Sequence, residues 1–249
     1  MNVAVAQEVQ DARARSQVLW CRFTRGRASI GQEFVYRVGQ GTAKAGRQVA
    51  KNNGLEIRSL TSAIIDVADI AVRPGVPVAL VGRSGSGKSS LMRAIVDLDL
   101  NEGEIMLHGV SRASMSAPLW RQSVVYIPAE PGWWGERVGD HLNGPDSTET
   151  RAALGLDHIQ PDQPIERLST GERQRLALAL GLAREPEALL LDEPTAALDE
   201  TSRDMVETLL DPMIAAGLVL MMATHDPEQA RRLGLQRLEI AGGRIRGPA

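Results

Sequence analysis

The sequence is poor in cysteine and in aromatic residues, and neither sign of charge dominates it. Cys21 is the only cysteine, so neither an intramolecular disulfide nor a multi-cysteine metal site can form. That composition points to a reducing compartment, with the cytosol as the default. Long apolar runs are also missing. The longest, Met213 to Ala223, spans 11 residues where a membrane-spanning helix takes ~20, so nothing is expected to cross a bilayer by itself. No charged-then-apolar signal stretch opens the sequence. The net charge of -3 hides a split: residues 1–53 carry nine Lys or Arg against three acids, net +6, which leaves -9 on residues 54–249. So acidic a body is a poor long-range partner for nucleic acid, and none is expected. Any phosphate must be gripped locally.

What is present suffices for a core. The 249 residues, 43% of them apolar, allow one large domain or two small ones and exclude disorder over most of the length. Residues 38–53 are mostly Gly, Gln, Lys and Ala without periodicity and read as a linker. Upstream, Trp20, Phe23, Phe34 and Tyr36 show no helix or strand period. Residues 1–53 are therefore expected to be a basic, poorly ordered N-terminal extension with no assigned function. It lacks an obvious cleavage signal, and its charge suits either an anionic membrane surface or a passive tail.

From Gly54 onward, apolar runs alternate with helix-like stretches, the pattern of an α/β domain whose parallel strands are buried on both faces. Val76–Val81, Ala188–Leu191 and Leu218–Ala223 are the clearest strands, and Leu238–Ile240 with Arg244–Arg246 read as a closing hairpin. Three of these strands end in polar residues: Gly82 to Ser89, Asp192 with Glu193, and Thr224 with His225. Ligands of open α/β sheets sit beyond the carboxyl ends of strands. That edge is the candidate site.

Gly82-Arg83-Ser84-Gly85-Ser86-Gly87-Lys88-Ser89 fits GxxxxGK[ST] between a buried strand and a helical pattern, the context that makes it a phosphate cradle. Its glycines let successive amides and the helix N-terminus, with Ser90 in its first turn, face the phosphates. Lys88 would reach the β- and γ-phosphates, and the Ser89 hydroxyl would take a Mg²⁺ position. Asp192, ending a buried strand, supplies an acid for the metal, and Glu193 a candidate base for the attacking water. Ser169 and Glu172 match a capping box. Helix initiation alone accounts for them, yet a capped N-terminus with Gly171 in its first turn also offers a second dock for phosphate.

Taken together, the motif order resembles that of the ATP-binding cassette (ABC) ATPases, over about residues 55–246. Walker A lies at Gly82 to Ser89, a signature at Leu168 to Glu172, Walker B at Leu189 to Glu193, a D-loop-like Ala197-Leu198-Asp199, and a switch histidine at His225. The resemblance implies a P-loop NTPase core with a mainly parallel sheet, antiparallel β elements and a short helical subdomain at about 129–184, within an ABC domain of residues 54–249. It also implies ATP and Mg²⁺ as ligands. Cassettes of this kind pair head to tail, each ATP lying between one copy's Walker motifs and the other's Ser169 and Gly171. Asp199 would couple the two sites, and Glu193, His225 and Lys88 would be the catalytic set.

The departures from the family pattern matter as well. Thr170 and Glu172 replace the first glycine and the glutamine of LSGGQ. Ala129 stands where the Q-loop glutamine is expected, with Glu130 next to it as an alternative oxygen donor to the metal. No aromatic lies between Arg37 and Gly82, where the family stacks adenine. Trp133 and Trp134 are expected either to anchor a membrane partner or to pack within the subdomain. The leading expectation is an ATPase subunit, peripheral on the inner face of the cell membrane, that powers separate transmembrane permease subunits as a homodimer or paired cassette. A soluble non-transport ABC ATPase and a cassette that binds ATP with little hydrolysis are the alternatives.

Overall fold

The structure, a computed structural model, describes residues 18–22, 33–37 and 53–246. Two compact units are distinguished, residues 1–47 and 48–249. In the first, Val18–Arg22 (β1) and Glu33–Arg37 (β2) pair antiparallel, with Val18 opposite Arg37. The sequence shows no strand period here because Val18 to Cys21 and Phe34 to Tyr36 are continuous apolar runs instead of alternating ones. The linker-like residues 38–52 lie outside the described residues.

The second unit contains two sheets. An antiparallel sheet is made of Leu55–Thr61 (β3), Asp66–Val72 (β4), Glu102–Leu107 (β6) and Val110–Ser111 (β7), in the order β4-β3-β6-β7. A second sheet holds Val78–Val81 (β5), Val124–Ile127 (β8), Ala188–Asp192 (β9), Val219–Ala223 (β10), Gln236–Ala241 (β11) and Arg244–Arg246 (β12). Its order is β12-β11-β5-β10-β9-β8, parallel throughout except for the β11–β12 hairpin. β9 and β10 are buried at every residue, as expected of strands covered on both faces. The expected strands and the closing hairpin are all found, with ends shifted by one or two residues.

Six α-helices lie among the described residues: Lys88–Ile95 (α1), Ala117–Ser123 (α2), Thr148–Ala153 (α3), Thr170–Leu182 (α4), Glu200–Ala215 (α5) and Pro227–Arg232 (α6). Between residues 129 and 184 the regular elements are α3, α4 and two short 3₁₀ turns, Val138–His141 and Ile165–Arg167, so this stretch is helical and has no named strand.

Register brings the expected edge together. Asp192 at the end of β9 lies opposite Ala223 at the end of β10, and Ala223 lies opposite Leu80 of β5. The loops leaving β5, β9 and β10 therefore start side by side. The helix that follows β5 is only eight residues long, and its far end is tied down by side chains. The buried Trp120 indole donates to the Ile95 carbonyl at 2.9 Å, and Arg112 donates to the Ala94 carbonyl at 2.9 Å. The indole satisfies a carbonyl that the helix C-terminus leaves open, and the arginine charge complements the helix dipole. Replacing Trp120 by Phe removes the donor and leaves a buried carbonyl unpaired, so we expect a loss of about 1–3 kcal/mol. Urea unfolding should show a lower midpoint at unchanged slope.

Candidate functional site

The phosphate cradle owes its shape to two glycines. A Cβ on Gly82 would lie 2.3 Å from the Ile240 carbonyl oxygen and 2.6 Å from Ser86 Oγ, so only glycine lets the loop pass the closing hairpin. Gly87 caps α1 in the left-handed region at φ 107°, which side chains rarely adopt. The hairpin also braces the loop from below: the Gly243 amide donates to the Ser86 carbonyl at 3.0 Å. Ser84 and Gly85 are exposed at the loop tip, Ser86 and Lys88 are buried, and Ser90 is half-buried. Among the described residues Ser86 Oγ is buried without a hydrogen-bond partner, a polar atom that a phosphate oxygen would satisfy.

Lys88 Nζ donates to the Gly82 carbonyl at 2.9 Å and lies 3.3 Å from His225 Nε2. That histidine nitrogen is 2.7 Å from Glu193 Oε1. One ring nitrogen cannot both accept from the lysine and donate to the glutamate. The shorter, charge-assisted contact places the proton on Nε2, donated to Glu193. Glu193 itself sits at φ 51°, in the left-handed region, while its amide donates to the Ala223 carbonyl at 2.9 Å. A strained backbone at a strand end is what aims this carboxylate beyond the sheet.

Asp192 is buried, with two donors on one oxygen: the Ser89 hydroxyl at 2.5 Å and the Tyr126 phenol at 3.2 Å. Burial first, and then the Asp192 carboxylate, push the Tyr126 phenol well above its ordinary value, so it is a neutral donor across the physiological range. Ser89 Oγ and Asp192 Oδ2 form a compact pair of hard oxygens, the donor set that Mg²⁺ takes when substrate phosphates and water complete its shell. Glu130 is exposed and lines a cleft of about 950 Å³ with Ala129, Trp133 and Thr170. Among the described residues no hydrogen bond or ion pair joins it to Ser89 or Asp192. Tyr126 is the extra Asp192 partner that motif reading missed.

The signature residues form a separate group. Ser169 caps α4 through a capping box with Glu172: the Ser169 amide and hydroxyl both lie 2.8 Å from Glu172 Oε2, and the Glu172 amide donates back at 3.2 Å. His158 Nε2 adds a contact to Glu172 Oε1 at 2.9 Å. A Cβ on Gly171 would come within 3.1 Å of Leu198 Cδ2 and 3.3 Å of the Ala197 carbonyl, so the helix start is pressed against the Ala197-Leu198-Asp199 loop. Asp199 in turn caps α5 by accepting from the Ser202 amide at 2.7 Å, and that bond above all holds its carboxyl below the ordinary range. Among the described residues no hydrogen bond or ion pair links Ser169 or Gly171 to the cradle.

Two outcomes follow. Gly82→Ala should weaken ATP binding by roughly tenfold, about 1.4 kcal/mol, in calorimetric titration, because its Cβ meets backbone and not a movable side chain. Burial opposes ionisation of Glu172, but hydrogen bonds from Ser169 and His158 outweigh it and hold the carboxyl below its ordinary value. The stability it contributes is present above the unfolded value, ~4.3, and is lost as pH falls through the lower native value. Thermal melts should therefore show a shallower loss between neutral and acid pH for Glu172→Gln than for the native protein.

Comparison with known proteins agrees with this geometry. The family model for ABC transporters matches residues 65–196. An aliphatic sulfonates import ATP-binding protein of Paraburkholderia xenovorans is 36% identical over 197 residues, covering 77% of this chain and 76% of the relative. A like-named protein of Paracoccus denitrificans is 37% identical over 195 residues, with 73% of each chain covered. Among solved structures, an ATP-binding subunit of an ABC transporter superposes with a TM-score of 0.69 at 22% identity, over 77% of this chain and 87% of that one. A dimeric ATP-binding cassette in a post-hydrolysis state, bound to ADP and phosphate, gives 0.64 at 23% identity, over 77% and 96%; at that identity both establish the fold. Shared fold, matched motifs and overall identity agree: the chain belongs to the ABC transporter family, as one of its ATP-binding subunits.

Proposed function

We propose that this protein is an ATPase that powers transport through separate membrane permease subunits, two copies closing on Mg-ATP and parting after hydrolysis. The observation that carries the chemistry is the convergence of Lys88 and Glu193 on His225 Nε2, at 3.3 and 2.7 Å, next to the Ser89–Asp192 pair. In this reading the cradle amides and Lys88 bind the β- and γ-phosphates, and Ser84, Gly85, Ser86 and Ser90 belong to the same grip. Ser89 and Asp192 hold Mg²⁺, which when bound neutralises phosphate charge. Glu193 accepts a proton from the attacking water, and the His225 Nε2–H, which holds Glu193 in the absence of nucleotide, turns to the γ-phosphate when ATP is bound. The separation of Ser169 and Gly171 from the cradle supports a site completed by a second copy, with Asp199 beside the signature of its own chain relaying closure.

The cleft of about 950 Å³ is the proposed seat of the permease. Trp133 lines it with Nε1 buried, Trp134, next in the chain, is 78% exposed, and both rings meet His141 edge-on. Trp133 therefore supports the fold and Trp134 is the free anchor. The relatives named as import subunits support import as the direction. Among the described residues no helix is long and apolar enough to cross a membrane, in keeping with a spanning path supplied by other chains.

Glu193→Gln should lower phosphate release at least ~100-fold, the lower end of what general-base catalysis contributes, while retaining ATP and sedimenting as a dimer with Mg-ATP. Retained hydrolysis in that variant overturns the catalytic assignment. Trp134→Ser should weaken recovery of the permease complex from detergent extracts; unchanged recovery removes the docking role.

A further inference from the structure

We propose that Gln229 is a positioning residue for hydrolysis, its side-chain amide locking the strand end that carries Glu193 to the one that carries His225. The inference rests on the ATPase reading above. Gln229 lies on α6 and is fully buried, at 0% exposure. Its Nε2 donates to Thr195 Oγ1 at 2.8 Å and to Glu207 Oε1 at 3.2 Å, and its Oε1 accepts from Thr224 Oγ1 at 2.9 Å. Thr195 is two residues beyond Glu193, and Thr224 immediately precedes His225. One buried amide thus spans both loops.

The orientation of that amide is determined by chemistry. The Glu207 carboxylate is held by Arg232 through two bonds of 2.7 Å, so it is ionised and can only accept, and the Gln229 amino group must face it. The carbonyl end then faces Thr224, whose hydroxyl donates to it and accepts the Asp226 amide at 3.1 Å. Asp226 caps α6 by accepting from the Glu228 and Gln229 amides. Every polar atom of the bridge has a partner, which is the condition under which a buried network is rigid instead of costly.

Rigidity matters here because both residues lie past the ends of their strands. Glu193 holds a left-handed backbone, a conformation that persists only where the surroundings over-determine it. The His225 side chain is 52% exposed, so packing does not orient it. Past the strand ends, the direct Glu193–His225 contact of 2.7 Å, the Glu193 amide bond to Ala223 and the Gln229 bridge together hold the two residues in register. Misplacing a catalytic group by about 1 Å can cost ~100-fold in rate, so partial loosening should be visible in turnover without touching the cradle.

The test is steady-state ATPase kinetics, ATP affinity and thermal midpoint for the full chain, Gln229→Met, Thr195→Val and the double variant. Methionine keeps the volume and valine the shape, so the hydrogen bonds are removed with little repacking. We expect each single variant to lower kcat roughly tenfold with ATP affinity within about twofold of native, and the double variant to fall no further, because both break one bridge. Thr195→Val keeps the test decisive if Gln229→Met does not fold. Native kcat in a folded variant, even one of lowered midpoint, overturns the inference and leaves the ATPase reading intact, as do additive losses in the double variant. If the native protein fails to hydrolyse ATP, the reading itself falls and this inference with it.

Discussion

The Ser89–Asp192 hydrogen bond is the contact on which the site depends. It joins residues 103 positions apart, at 2.5 Å, and it reaches across β10, which lies between β5 and β9 in the sheet. A carboxylate as buried as Asp192 is costly unless it is hydrogen-bonded. Ser89 and Tyr126 meet that requirement, and in doing so they fix the start of α1 relative to β9. The cradle, the lysine and the short helix are held from there. The hairpin of β11 and β12 braces the same loop from its other side through Ile240 and Gly243.

Around this contact the family pattern bends without breaking. A glutamine in the place of Glu172 could accept at one atom and donate at another, whereas the carboxylate accepts from Ser169 and His158 at once. The result is a tightly closed capping box, with the Ser169 hydroxyl committed to Glu172 within a single copy. Thr170, the first residue of α4, is accommodated because it lines the open cleft, whereas Leu198 covers the neighbouring Gly171. Ala129, at the expected Q-loop position, lines the cleft, and it is Tyr126, three residues earlier and inside β8, that donates to Asp192. The metal end therefore has a built partner that does not come from the cleft.

Most of the fold was legible because buried parallel strands are written as continuous apolar runs, and because Gly, Pro and acidic residues mark where they stop. Val78–Val81, Ala188–Asp192 and Val219–Ala223 all follow from that rule. The cradle was legible for a steric reason, since only glycines make that turn. Residues acting through tertiary contact were not. Tyr126 looks like an ordinary strand residue and Gln229 like an ordinary helix residue; each gains its role from a partner 66 or 34 residues away. The β1–β2 hairpin escaped notice because its apolar residues do not alternate.

The account is tested most directly by calorimetric titration of ATP, with and without Mg²⁺, into the native protein and Asp192→Asn. A metal end built on Ser89 and Asp192 predicts that Mg²⁺ strengthens ATP binding to the native protein, and that Asp192→Asn loses this gain while keeping its Mg²⁺-free affinity. Equal Mg²⁺ dependence in the two proteins would contradict it.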